Sequence, residues 1–126
     1  MYRYYNPSPY GKNVGDCTVR AISKATGKDW GETDLALAIQ GYLDGDMPSA
    51  NATWGAYLHS LGYRRYIVPD TCPLCYTVGQ FANEHSEGTY ILALSGHVVC
   101  IQDGTLFDSW DSSNETVLYF WVKEIE

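Results

Sequence analysis

Basic residues are scarce. The chain of 126 residues holds 8 lysines and arginines against 15 aspartates and glutamates, a formal net charge of −7 with a pI near 4.7. Nucleic-acid binding needs clustered Lys and Arg to neutralise phosphates. The only adjacent basic pair is Arg64-Arg65, so a nucleic-acid partner is not expected. Long apolar runs are also missing. None approaches the roughly 20 residues that span a bilayer, and Met1-Tyr2-Arg3-Tyr4-Tyr5-Asn6-Pro7 lacks the apolar centre of a signal peptide. The expectation is a soluble cytoplasmic protein with no membrane partner. Without a secretory signal, Asn51-Ala52-Thr53 and Asn114-Glu115-Thr116 are chance matches to the glycosylation pattern. Cysteine is limited to Cys17, Cys72, Cys75 and Cys100, expected to be mostly reduced in such a compartment. Repeats, low-complexity tracts and linkers are absent.

Aromatic residues are abundant. The aromatic fraction is 14%, with 11 tyrosines and 4 tryptophans, and the apolar fraction is 45%. The length predicts a single domain over 1–126 with a core that needs no disulfide staples.

Taken in order, residues 1–15 read as an extended loop, broken by Pro7, Pro9 and Gly11 and packed through its tyrosines. Asp16 is placed as an N-cap. Cys17 opens a helix whose Val19, Ile22 and Ala25 share a face, and Gly27 ends it. A second helix over about 30–43 starts with Asp29 and Glu32 spaced as a capping box and carries a Leu35, Ala38, Ile39, Tyr42 stripe. A third, over about 50–61, is capped by Ser49 or Asn51 and buries Trp54, Tyr57, Leu58 and Leu61. The period then changes. Residues 63–68 form a strand, 70–76 a loop, and Thr77 with Gln80 caps a short helix over about 78–85. Strands follow at 89–94, 97–102, 105–110 and 117–122, with Asp103-Gly104 as a hairpin turn. Helices first and antiparallel strands last predict an α+β fold.

Chemistry centres on Gly15-Asp16-Cys17. A thiol at a helix N-terminus has its thiolate favoured by free backbone N–H groups and the positive dipole end. A nucleophile also needs a base and a group that orients the base. His59, mid-helix, and His85, in a polar run, are assigned to the surface. His97 follows Gly96 and opens a strand, where its ring can reach across to a helix start. Asp108 on the next strand is placed to hold the imidazole; Asp111 falls in a turn and is less well placed. Cys72-Pro73-Leu74-Cys75 follows neither the strand–helix context of a thioredoxin-like site nor the ligand spacing of a zinc site, even with His85, His97 or Cys100 added. It is assigned to a plain loop, with neither metal nor cofactor expected. Trp54, Trp110 and Trp121 are expected in the core, with Trp110 near enough to the site to line a substrate cleft over which Tyr2 to Tyr10 could fold.

The order of these residues resembles the papain-like cysteine peptidases. The likeness rests on Gly15-Asp16-Cys17, Gly96-His97-Val98-Val99 and Asp108-Ser109-Trp110-Asp111 and covers nearly the whole chain. The chain is similar to compact bacterial members such as the bacteriocin-processing peptidases that cut after double glycine, and to short phage-encoded proteins of this type. The resemblance implies N-terminal helices packed on a C-terminal antiparallel sheet. It also implies a cysteine hydrolase acting on a peptide or isopeptide bond of a peptide or protein substrate. Cys17 would be nucleophile, His97 base and Asp108 orienter. The family's oxyanion-holding glutamine has no counterpart here, where Gly11 stands upstream; Asn13 is the chosen replacement and Asn6 the other amide nearby. Three alternatives stand beside this reading: a non-catalytic peptide-binding module on the same fold, a transglutaminase-like acyltransferase, and a redox or metal protein built on Cys72 and Cys75.

Overall fold

A computed structural model describes residues 1–12 and 14–123. The elements in chain order are β1 (Tyr2–Tyr4), α1 (Cys17–Thr26), α2 (Trp30–Asp44), α3 (Asn51–Ser60), β2 (Tyr63–Ile67), α4 (Val78–Glu84), β3 (Thr89–Leu94), β4 (His97–Gln102), β5 (Thr105–Asp108) and β6 (Tyr119–Lys123). The fold is α+β, with four helices packed on a six-stranded sheet of order β1-β5-β4-β3-β6-β2. No helix of the described residues is long and apolar enough to cross a membrane.

The sheet is mixed rather than purely antiparallel. The N-terminal segment expected as a loop contributes β1, which pairs parallel with β5, Tyr2 opposite Leu106 and Tyr4 opposite Asp108. Every other ladder is antiparallel. The β4–β5 hairpin turns where expected. Asp103 and Gly104 both have positive φ, +50° and +77°, the double left-handed geometry that makes Asp-Gly a preferred hairpin turn.

Both faces of the central strands are covered, which explains why Tyr90-Ile91-Leu92-Ala93-Leu94 is apolar without alternation. Ile91, Ala93, Val98 and Cys100 face Val19, Ile22, Leu37, Trp54 and Leu58 of the first three helices. Leu92, Leu94, Val99 and Ile101 pack with Val78 and Phe81 of α4 on the other side. Trp54 and Trp121 join the first cluster as expected, whereas Trp110 is 46% exposed and lies outside both.

Local signals account for most helix ends. Gly27 closes α1 in the left-handed region, its N–H donating to Ser23 O at 3.0 Å. Asp29 Oδ1 accepts from the Glu32 N–H at 2.7 Å at the start of α2. Thr77 and Gln80 make both halves of a capping box on α4. Two expected caps differ. Asp16 holds the N-cap position of α1 without a side-chain cap bond, because its carboxylate is engaged by Arg20 and Trp30. Ala50, not Ser49 or Asn51, caps α3, and Asn51 Oδ1 instead accepts from the Trp54 indole at 3.1 Å.

The inward face of α2 also differs from expectation. Leu35, Ile39 and Tyr42 are 62%, 51% and 86% exposed, while Thr33, Leu37 and Gly41 are buried. Close packing selects the latter stripe. A Cβ on Gly41 would lie 2.6 Å from the Asp46 carbonyl oxygen, so only glycine lets the following loop fold back here.

Candidate active site

Three elements bring Cys17, His97 and Asp108 together. Cys17 is the first residue of α1, His97 the first of β4 and Asp108 the last of β5. Helix α1 packs across β4, and β5 is the neighbour of β4 in the sheet. Cys17 and His97 line a cavity of about 350 Å³ that is also bounded by Gly15, Thr18, Gly96 and Asn51.

The imidazole is held from two sides. Its Nε2 lies 2.7 Å from Asp108 Oδ2, where it donates to the carboxylate, and the Cys17 thiol neighbours the ring and acts on its pKa. With Nε2 given to Asp108, Nδ1 is the nitrogen left for sulfur. Burial alone would lower the His97 pKa; the hydrogen bonds and charges of Asp108 and Cys17 reverse this and raise it to about 9. Burial likewise pushes the Cys17 thiol up, but hydrogen bonds from His97 and the Val98 backbone N–H, the His97 charge and the Thr18 hydroxyl together pull it below its ordinary value. The opposite shifts favour a thiolate–imidazolium pair.

Asp108 is 2% exposed and fully engaged. The Ser112 hydroxyl donates to Oδ2 and the Ser109 N–H to Oδ1, both at 2.7 Å. Its burial raises its pKa, but the His97 and Ser112 hydrogen bonds, the His97 charge and the Ser109 N–H outweigh that and lower it, so it stays a carboxylate. Behind it, Arg20 Nη2 lies 3.4 Å from Oδ1, and Arg20 Nη1 donates to Asp16 Oδ1. The Trp30 indole donates to the other Asp16 oxygen at 2.9 Å. A row of alternating charge results: Cys17 thiolate, His97 imidazolium, Asp108 carboxylate, Arg20 guanidinium, Asp16 carboxylate. Each buried charge has an opposite neighbour, the condition under which buried ions are tolerated.

Trp110 stacks on the imidazole, ring centroids 5.0 Å apart at 29°, and its exposed face borders the site. Asp111 is exposed and bonded to Ser113, away from His97. Asn6 Oδ1 accepts from the Ser8 N–H at 3.2 Å within its own turn. Asn13 lies outside the described residues. The N-terminal tyrosines do not line the cavity: Tyr2 and Tyr5 pack by β5 and α1, and Tyr10 against Trp30. His59 is exposed as expected, while His85 is half-buried and stacks on Phe81.

Cys72 and Cys75 form a disulfide, contrary to the expectation of reduced thiols, and contribute nothing to the cavity. Cys17 and Cys100 are the free cysteines. Among the described residues no three His, Cys, Asp or Glu side chains gather into a metal-binding group.

Sequence reasoning did not anticipate Arg20, Ser112, Trp30 or Asn51. Arg20 left a trace, since an arginine between Val19 and Ala21-Ile22 on an otherwise apolar helix asks for a buried partner. Asn51 left none, because its place at the cavity depends on how α3 sits. Comparison with protein-family models, with curated proteins and with solved structures finds no match to this chain.

Proposed function

We propose that this protein is a papain-like cysteine hydrolase that cleaves a peptide or isopeptide bond. The observation that carries the reading is the imidazole bonded to Asp108 at 2.7 Å and sharing a cavity with a thiol whose pKa it lowers. The Cys17 thiolate attacks the substrate carbonyl, forming a C–S bond and moving the π pair onto oxygen. The Cys17 backbone N–H, one of the helix-start donors without an intrahelical partner, is assigned to that oxyanion, with Asn13 as the second donor on the sequence expectation alone. His97 delivers its proton to the leaving nitrogen as the C–N bond breaks. Water then attacks the thioester, passes a proton to His97 and releases the acid and the thiolate. A transglutaminase-like transfer differs only in the last step, where an amine replaces water.

The test pairs chemistry with labelling. Purified protein incubated with a proteome-derived peptide library should create new peptide termini, detected by mass spectrometry, and Cys17→Ala should create none. Iodoacetamide should label Cys17 in the native protein. A Cys17 that resists labelling, with no new termini, would instead make this a binding module.

A further inference from the structure

A second cavity adjoins the first. It has a volume of about 570 Å³ and lies between α3 and the β6–β2 edge of the sheet, lined by Asn51, Gly55, His59, Arg65, Tyr119 and Trp121 among others. Asn51 lines both cavities. The indole N–H of Trp54 can only donate, so the Asn51 oxygen must face it and the Asn51 NH₂ turns elsewhere, at the junction. That amide is placed to donate to a backbone carbonyl passing from one cavity to the other.

We propose that this second cavity binds a carboxylate of the substrate, an acidic side chain or a chain end. The proposal rests on the hydrolase reading only for its link to Cys17. Arg65 makes no ion pair among the described residues, in a chain with nearly twice as many acidic as basic side chains. Its guanidinium lies over the Tyr119 ring, 5.0 Å from the centroid. This contact with the ring face leaves guanidinium N–H donors available for a two-oxygen acceptor. Arg65 pairs across the strands with Trp121. Trp121 is only 9% exposed, and its indole N–H has no hydrogen-bond partner among the described residues, an uncommon state for a buried donor. Gly55 makes the close approach of α3 possible, because a Cβ there would come 3.0 Å from Trp121 Cζ2. His59 adds a second nitrogen group from α3. The Arg65 cation, the Asn51 amide and the flat aromatic walls of Tyr119 and Trp121 together suit a carboxylate on a short apolar stem and give a neutral amide of the same shape no charge to pair with.

The test uses ¹⁵N-labelled full-length protein titrated with three probes: N-acetylglutamate amide, N-acetylglutamine with a free carboxylate, and N-acetylglutamine amide. The Trp121 indole N–H and the Arg65 side-chain signals are followed. One or both acids should shift them with a dissociation constant about tenfold or more below that of the neutral probe, the scale of one charge-assisted bond. The first acid responding alone identifies an acidic side chain, and the second alone a chain end. Arg65→Gln should abolish the preference and Arg65→Lys should keep part of it. Equal response to the neutral probe, a preference that survives Arg65→Gln, or no shift with any probe overturns the proposal. Cys17→Ala should titrate as the native protein does. Carboxylate binding with an inert Cys17 would therefore sink the hydrolase reading alone, and a reactive Cys17 without carboxylate preference would sink this proposal alone.

Discussion

The two free thiols, one in the cleft and one in the sheet core, are the same group in opposite settings. Cys17 is half-buried at a helix start, with the His97 ring and the Val98 N–H around its sulfur, and its pKa is pulled down. Cys100 sits three residues beyond His97 on the same strand, yet it is completely buried among Val19, Ile22 and Ile91, and burial pushes its pKa to about 12. Lys24 counteracts that only weakly. Distance along the chain from the histidine does not decide reactivity. Donors at the sulfur do, because they stabilise the thiolate against the cost of losing water.

The strongest way to break this contrast is to remove the ring. His97→Ala should cut turnover by about 10²–10⁴-fold, the usual scale of a general acid–base group. It should also move the pH dependence of Cys17 alkylation up toward that of an ordinary thiol, measured by iodoacetamide kinetics. If the profile stays put, His97 does not set the state of Cys17. In the native protein the signs are fixed by the two shifts. Thiolate accumulates as pH rises through the lowered Cys17 value, and imidazolium is lost as pH passes about 9. Turnover should therefore be bell-shaped, with its acid limb below the ordinary thiol range and its alkaline limb near 9.

Next in size is the support behind the triad. Arg20→Met leaves Asp16 and Asp108 without their shared cation and should destabilise the fold by about 3–5 kcal/mol, read by urea denaturation. A loss below about 1 kcal/mol would show that the alternating row is not coupled. On the core side, Cys100→Ser should cost about 1–3 kcal/mol by burying a hydroxyl, with Cys17 alkylation unchanged; altered Cys17 kinetics would mean the two thiols are linked. The smallest effect belongs to Trp110→Ala. Loss of the stacked ring should weaken turnover by about 0.5–1.5 kcal/mol, roughly two- to tenfold, without moving the alkaline limb.

The thiol contrast also shows which features were legible in advance. Cys17 and His97 stand at element starts preceded by Gly15 and Gly96, and Asp108 follows the Asp103-Gly104 turn on a strand expected to run on to 110 that ends at Asp108, so local signals placed each on its element. The β3 and β4 strands were equally plain from their composition. The inward face of α2 and the pairing of β1 were not. Helix α2 has apolar residues on more than one side, so periodicity identifies a helix without saying which stripe is buried. The deciding residue is Gly41, whose value lies in the backbone that approaches it. The strand at Tyr2–Tyr4 is short, lies among prolines and pairs with Leu106 to Asp108, a partner no local window contains. Arg20 and Asn51 act through neighbours brought together only by packing. The disulfide of Cys72 with Cys75 is a pairing that spacing permits without requiring.

The partner of β1 has one more consequence, for the timing of synthesis. Tyr5 N–H and the Tyr2 hydroxyl both donate to the Asp108 carbonyl, so residues made early are secured by one that lies 106 positions beyond Tyr2. Ribosomes add residues at about 5–20 per second, and contacts this distant in sequence close late in folding. Cys17 leaves the ribosome seconds before His97, and Asp108 follows later still. A half-made chain thus carries Cys17 without the His97 and Val98 neighbours that lower its pKa, and these arrive only when the sheet closes.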